Sequence, residues 1–230
     1  MQMISAFMEC PEWNAAIRRS GEYTWRVGNS RVPRRGVESF KIIALCVGSG
    51  VLYGICQDQI TARICVEYFT VGHPPILGGI TDPTLLAFSW GIIATWWVGL
   101  ILGIPAAFLA RAGARPKLGW RNLRWPIAIL FVVVGIMAAV AGLGGYVTGG
   151  LNDYYHPQGV RASAEFQADA AAHSAAYATG FVGGVFVWGW IWWRRGQMER
   201  RLLLEELERL GRENRELIER LTTENRTSSA

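Results

Sequence analysis

The chain has 230 residues and a formal net charge of +5. By length it has room for one or two soluble domains. The stretches 42–57, 83–110, 125–152 and 174–193 carry no charge at all, and four helices apolar on every face are more than a soluble domain of this size can cover.

Residues 1–39 come first, rich in Arg and Gly, with no apolar core ahead of a small-residue cleavage site. They read as a polar N-terminal extension. A helix of about 20 residues crosses the roughly 30 Å hydrocarbon layer, so residues 40–195 are predicted to form a four-span membrane domain. The first span is short before Asp58 interrupts it, and is expected to continue as a helix into the interface. In the second, Pro105 is expected to kink the helix near its inner end. Trp96 and Trp97 fall near mid-span, at a helix contact or facing lipid. Trp188, Trp190, Trp192 and Trp193, just before Arg194 and Arg195, mark the interface of the fourth.

The spans share one device. Gly50 and Gly54, Gly99 and Gly103, Gly145 and Gly149, and Gly180 and Gly184 are each four apart. Such pairs make a flat patch on which another helix approaches closely. One pair per span predicts a compact antiparallel bundle.

Basic residues orient it. Arg18, Arg19, Arg26, Arg31, Arg34, Arg35 and Lys41 precede span one, Arg111, Arg115, Lys117, Arg121 and Arg124 join spans two and three, and Arg194, Arg195, Arg200 and Arg201 follow span four. The other two connections hold only Arg63 and Arg161. By the positive-inside rule both termini are cytoplasmic, with loops 58–84 and 150–172 outside.

Residues 196–230 change character. Leu203, Leu207, Leu210, Asn214, Leu217 and Leu221 alternate spacings of four and three, the seam of a coiled coil with Asn214 at an a-type position. Gly211 weakens this helix, and a lone amphipathic helix on the membrane is the alternative. The fold class is therefore all-α: a four-helix transmembrane bundle with a C-terminal cytoplasmic coiled-coil helix. Its implied partners are the lipid bilayer and, through the tail, a second copy or a partner helix. No nucleic-acid module, phosphate loop or nucleophile–base motif is present, and the cysteines at 10, 46, 56 and 65 lack metal or redox spacing.

The outward loops collect the polar chemistry. All three histidines fall there, His73, His156 and His173, among the acids Asp58, Glu67, Asp82, Asp153, Glu165 and Asp169. Asp169 and His173 have the i, i+4 spacing that metal-binding helices use. Glu67, His73, Asp169 and His173 form a candidate ligand set for a divalent metal ion such as Zn²⁺, or part of one for Mn²⁺ or Fe²⁺. A structural network competes with this: Arg63 and Glu67 as a helix ion pair, His73 bonded to a backbone carbonyl, Asp58 and Tyr53 tying spans together. On this balance the chain reads first as a structural, scaffold or assembly component, and second as a metal-dependent membrane enzyme or metal-binding protein.

The segments YGICQDQITARICVEYFTVGHPPI, GIIATWWVGL and AAHSAAYATGFVGG resemble a family of bacterial four-span membrane proteins. The resemblance spans about residues 40 to 195 and is most specific from Glu67 to Pro75. It implies a bacterial inner membrane and brings no activity, cofactor or catalytic residue with it.

Overall fold

A computed structural model describes residues 35–149 and 162–228. Most of the N-terminal extension, with Cys10, and the part of the connection between spans three and four that holds Asp153, His156 and Arg161 lie outside the described residues. The compact unit considered below begins at Ser39.

Its regular structure is helical: α1 Arg35–Ile64, α2 Val66–Thr70, α3 Pro83–Ile93, α4 Trp96–Arg111, α5 Trp120–Gly149 and α6 Ala164–Ser228. α1, the α3–α4 pair, α5 and the first part of α6 are each long and apolar enough to cross a membrane. The protein is an all-α four-helix bundle of the integral, multi-pass membrane type. Its exterior fits that setting. Phe40, Phe108 and Phe186 are 70%, 69% and 74% exposed, with Ile129, Val132 and Ile136 also outward. An apolar surface on every side is untenable in water and normal in lipid. α1 and α5 are each 30 residues, about 45 Å at the helical rise, and so extend beyond the hydrocarbon layer. This extension carries Asp58 and Arg63 within α1, as expected.

Backbones meet where the glycines are. A Cβ on Gly99 would lie 2.5 Å from Val47 Cα, and one on Gly91 2.5 Å from Ile55 N, so α1 packs directly on α3 and α4. Gly145 and Gly149 face Gln167 and Ala164, which pairs the end of α5 with the start of α6. At the opposite end Ile42, Ala106, Ala110, Leu118, Leu123 and Ile191 close one apolar core drawn from α1, α4, α5, α6 and the connection between α4 and α5. Contacts at both ends make neighbouring spans antiparallel.

The second span breaks at Ala94 and Thr95, between α3 and α4, while α4 runs on through Pro105. The interruption of this span thus falls at Ala94–Thr95, ahead of the proline where the sequence predicts a kink, and has its own cause. Thr95 Oγ1 bonds back to the Gly91 carbonyl, and the Tyr177 hydroxyl donates to the Ala94 carbonyl at 3.0 Å. Polar side chains thereby engage the backbone where the helix is interrupted, which an interruption inside a membrane requires.

At the end of the bundle away from Asp58, Arg195 is buried and clasps the end of α4. Its Nε donates to the Pro116 carbonyl at 2.9 Å, Nη2 to those of Ala112 at 2.6 Å and Arg115 at 3.0 Å, and Nη1 to that of Leu109. Leu109 belongs to the last turn of α4, whose carbonyls lack intrahelical donors, and the other three follow it in the 112–119 connection, beside the negative end of the helix dipole. Trp192 and Trp193 are exposed beside it, while Trp188 turns inward and donates to the Leu102 carbonyl at 3.0 Å. α6 then continues without interruption through Gly211 to Ser228, and Leu203, Leu207, Leu210, Leu217 and Leu221 are all exposed.

Candidate functional site

Two helical stripes bring the site together. On α1, Cys46, Gly50, Gly54, Asp58 and Ala62 follow one another at intervals of four, so Asp58 continues the face by which α1 meets its neighbours. On α6, Asp169, His173 and Tyr177 do the same. α6 begins at Ala164, well before the apolar run, which puts Asp169 and His173 inside the bundle rather than in a loop. Where the stripes meet, His173 Nε2 lies 3.0 Å from Asp58 Oδ1, with both side chains mostly buried.

The hydrogen bonds fix proton positions. His173 Nδ1 lies 2.8 Å from the carbonyl of Asp169, an acceptor only, so Nδ1 carries a hydrogen. Its Nε2 then shares one proton with Asp58, giving either an imidazolium–carboxylate pair or a neutral imidazole–carboxylic acid pair. Either way the pair has no net charge. The carboxylate of Asp169 itself is 1% exposed, and neither of its oxygens has a hydrogen-bond partner.

Around the pair stands a set of aromatic rings. Tyr68, on α2, lies 4.7 Å from His173, 4.9 Å from His73 and 5.4 Å from Phe166 between ring centroids. His73 stacks on Phe69 and lies 4.5 Å from Trp90 of α3. Its Nδ1 donates to the Tyr68 carbonyl at 2.8 Å, leaving Nε2 as an acceptor in the neutral ring. Burial lowers the His73 pKa below the usual histidine value, although the bond to Tyr68 acts the other way. Burial, with the nearby Asp58, likewise holds the Tyr68 hydroxyl well above the ordinary tyrosine range. Both groups are therefore neutral near pH 7.

Below this cluster, between the helices, lies a cavity of about 170 Å³. At its polar end it is lined by Asp58, His173, Tyr68, His73, Gln57 and Tyr53; Trp188 and Val187 lie towards the other end, with apolar side chains and glycines between. No Lys or Arg is among its lining residues. Among the described residues, the Tyr68 hydroxyl, Gln57 Nε2, His73 Nε2 and Asp58 Oδ2 have no hydrogen-bond partner, although their residues are bonded through other atoms or stacked.

The four residues expected to bind a metal are distributed as follows. His73, Asp169 and His173 come to one side of the bundle, with both imidazoles against Tyr68 and Phe69. Glu67 is exposed, its Oε2 3.5 Å from Cys65 Sγ. The Nδ1 atoms of both histidines are engaged with backbone carbonyls, and no three His, Cys, Asp or Glu among the described residues gather closely enough to hold an ion. Arg63 bonds Gln59 and, at 3.0 Å, Thr84 Oγ1, rather than Glu67. Asp58, weighed from sequence only as a packing contact, is the partner of His173. Its register with Gly50 and Gly54 is the signal that marks it. Tyr68 and Gln57 gave no comparable signal, because a tyrosine and a glutamine near a span end are common interface residues.

No family model matches the chain, and no curated protein or solved structure does either.

Proposed function

We propose that this protein binds a small lipid-phase molecule inside its bundle, with the molecule's polar end at the Asp58–His173 pair. The cavity supports this most directly. Four spans that could pack shut instead leave space between Asp58 and Trp188, and that space ends at unpaired polar groups. Polar groups that open onto a mostly apolar space without a protein partner offer hydrogen bonds to whatever fills it, and a ligand that bonds them is a physical reason for their presence. Gly180 lines the cavity, and a Cβ there would meet nothing within 4 Å, so Gly180→Phe fills the space. Gly189 is also open but lies outside the cavity lining, so Gly189→Phe is the control. Solvent extraction of protein purified in lipid nanodiscs should recover one molecule enriched in wild type and in Gly189→Phe, and absent from Gly180→Phe. Equal recovery from all three would contradict the reading.

The scaffold or assembly reading rests on a different observation: the exposed leucine seam of the tail. It is compatible with the first, since a second copy or a partner helix on the tail leaves the cavity free. A divalent ion on Glu67, His73, Asp169 and His173 is less well supported, given the engaged ring nitrogens and the position of Glu67. Cytoplasmic termini are part of the same proposal, supported by the basic residues at 111–124 and 194–201; a bacterial inner membrane and membership of the four-span family rest on the sequence resemblance alone. An impermeant thiol reagent should label Gly159→Cys from the outer side. Labelling only from the cytoplasm would reverse the topology.

A further inference from the structure

The lining of the cavity restricts what fits it. We infer that its ligand carries an uncharged six-membered ring bearing hydroxyl or carbonyl oxygen, the head of a quinone or quinol, with its tail in the lipid phase. This rests on reading the cavity as a binding site.

Charge is the first restriction. The lining contains no Lys or Arg to meet a phosphate or carboxylate, and the Asp58–His173 pair is neutral as a unit, so a cationic head gains no net counter-charge there. An anionic lipid head or an amine would be stripped of water with little in return. Hydrogen bonding is the second. The unpaired groups are mixed, with donors at the Tyr68 hydroxyl and Gln57 Nε2 and acceptors at His73 Nε2 and Asp58 Oδ2. A head with hydroxyl or carbonyl oxygens satisfies both kinds; a hydrocarbon satisfies neither. Shape is the third. A volume of about 170 Å³ is close to the roughly 150 Å³ that accommodates one benzene, so a single ring fills it. Tyr68, His73 and Trp90 supply ring faces and edges at its polar end, which suit a flat partner.

The test uses the full chain in nanodiscs and three probes with the same ten-carbon tail: a decyl-substituted benzoquinone, decanol and decanoate. The quinone should bind at least ten-fold tighter than either of the others. Tyr68→Phe, which removes one hydroxyl and keeps the ring, should weaken the quinone about ten-fold and leave decanol unchanged. Gly180→Phe should abolish quinone binding. If decanol matches the quinone and both are lost in Gly180→Phe, the ring-head inference is overturned while the cavity remains a binding site. Tightest binding of decanoate overturns the neutral head. If Gly180→Phe changes nothing for any probe, or none binds wild type, both inferences fail.

Discussion

At the scale of single residues, the contact between His173 and Asp58 joins the first and fourth spans, and its two halves are not equivalent to mutation. In Asp58→Asn, the amide donates to His173 Nε2 and the bond survives, at a cost of about 1 kcal/mol. His173→Ala instead leaves a buried carboxylate without its partner, which costs about 3–5 kcal/mol. Thermal unfolding in detergent should therefore show His173→Ala as much the weaker protein. Equal loss in both would mean that the pair does not hold the spans. Asp169 works in the opposite direction. Its oxygens are buried and unpaired, so Asp169→Leu should raise stability by about 1–2 kcal/mol. A fall in the melting temperature would show that the carboxylate has a stabilising partner in solution. The pairing with Asp58 could have been read from the i, i+4 register of Gly50, Gly54 and Asp58; the isolation of Asp169 could not, because it depends on what other helices fail to offer.

At the scale of elements, helix ends and helix crossings carry the fold. Arg195 donates to carbonyls at and beyond the end of α4 through a planar fork that lysine cannot reproduce. Arg195→Lys should cost about 2–3 kcal/mol and loosen the 112–119 connection, seen as faster proteolysis there. Unchanged cleavage would mean that the clasp carries no energetic weight. The close contact of α1 with α4 was legible in the spacing of Gly50, Gly54, Gly99 and Gly103, since only glycine permits backbones so near. The break at Ala94–Thr95 was not legible. It has no proline or glycine of its own, and it is supported by Tyr177, a residue 83 positions away. Trp188 was also misleading in sequence: it sits among interface tryptophans yet turns into the bundle to bond Leu102.

At the scale of the whole molecule, a bundle with an internal cavity passes directly into a tail of about 50 Å that presents apolar leucines to water. Burying each of these leucines is worth about 1.5–3 kcal/mol, an incentive for a second helix to cover the seam. Two copies in one membrane send their tails out on the same side, so the proposed pair is parallel, with Asn214 opposite Asn214. Truncation after Met198 should halve the particle mass in detergent. An unchanged mass would shift the tail's role to another protein's helix. Cys65 adds a check on the end of the bundle that holds the Asp58–His173 pair: it is 4% exposed, and burial pushes its thiol up to about 11, so it should resist alkylation at pH 8 until the protein unfolds. Rapid labelling in the native protein would mean that the α1–α2 corner is open.

The central claim is that lipid-phase molecules enter the bundle rather than only coat it. The direct measurement is photo-crosslinking of the nanodisc-embedded protein with a diazirine-bearing alkyl quinone, followed by peptide mapping. Labels should fall on cavity-lining positions of three different spans, around Gly54, Val98 and Ala176, and disappear in Gly180→Phe. Labels confined to lipid-facing residues such as Phe40, Phe108 and Phe186, and unaffected by Gly180→Phe, would contradict it.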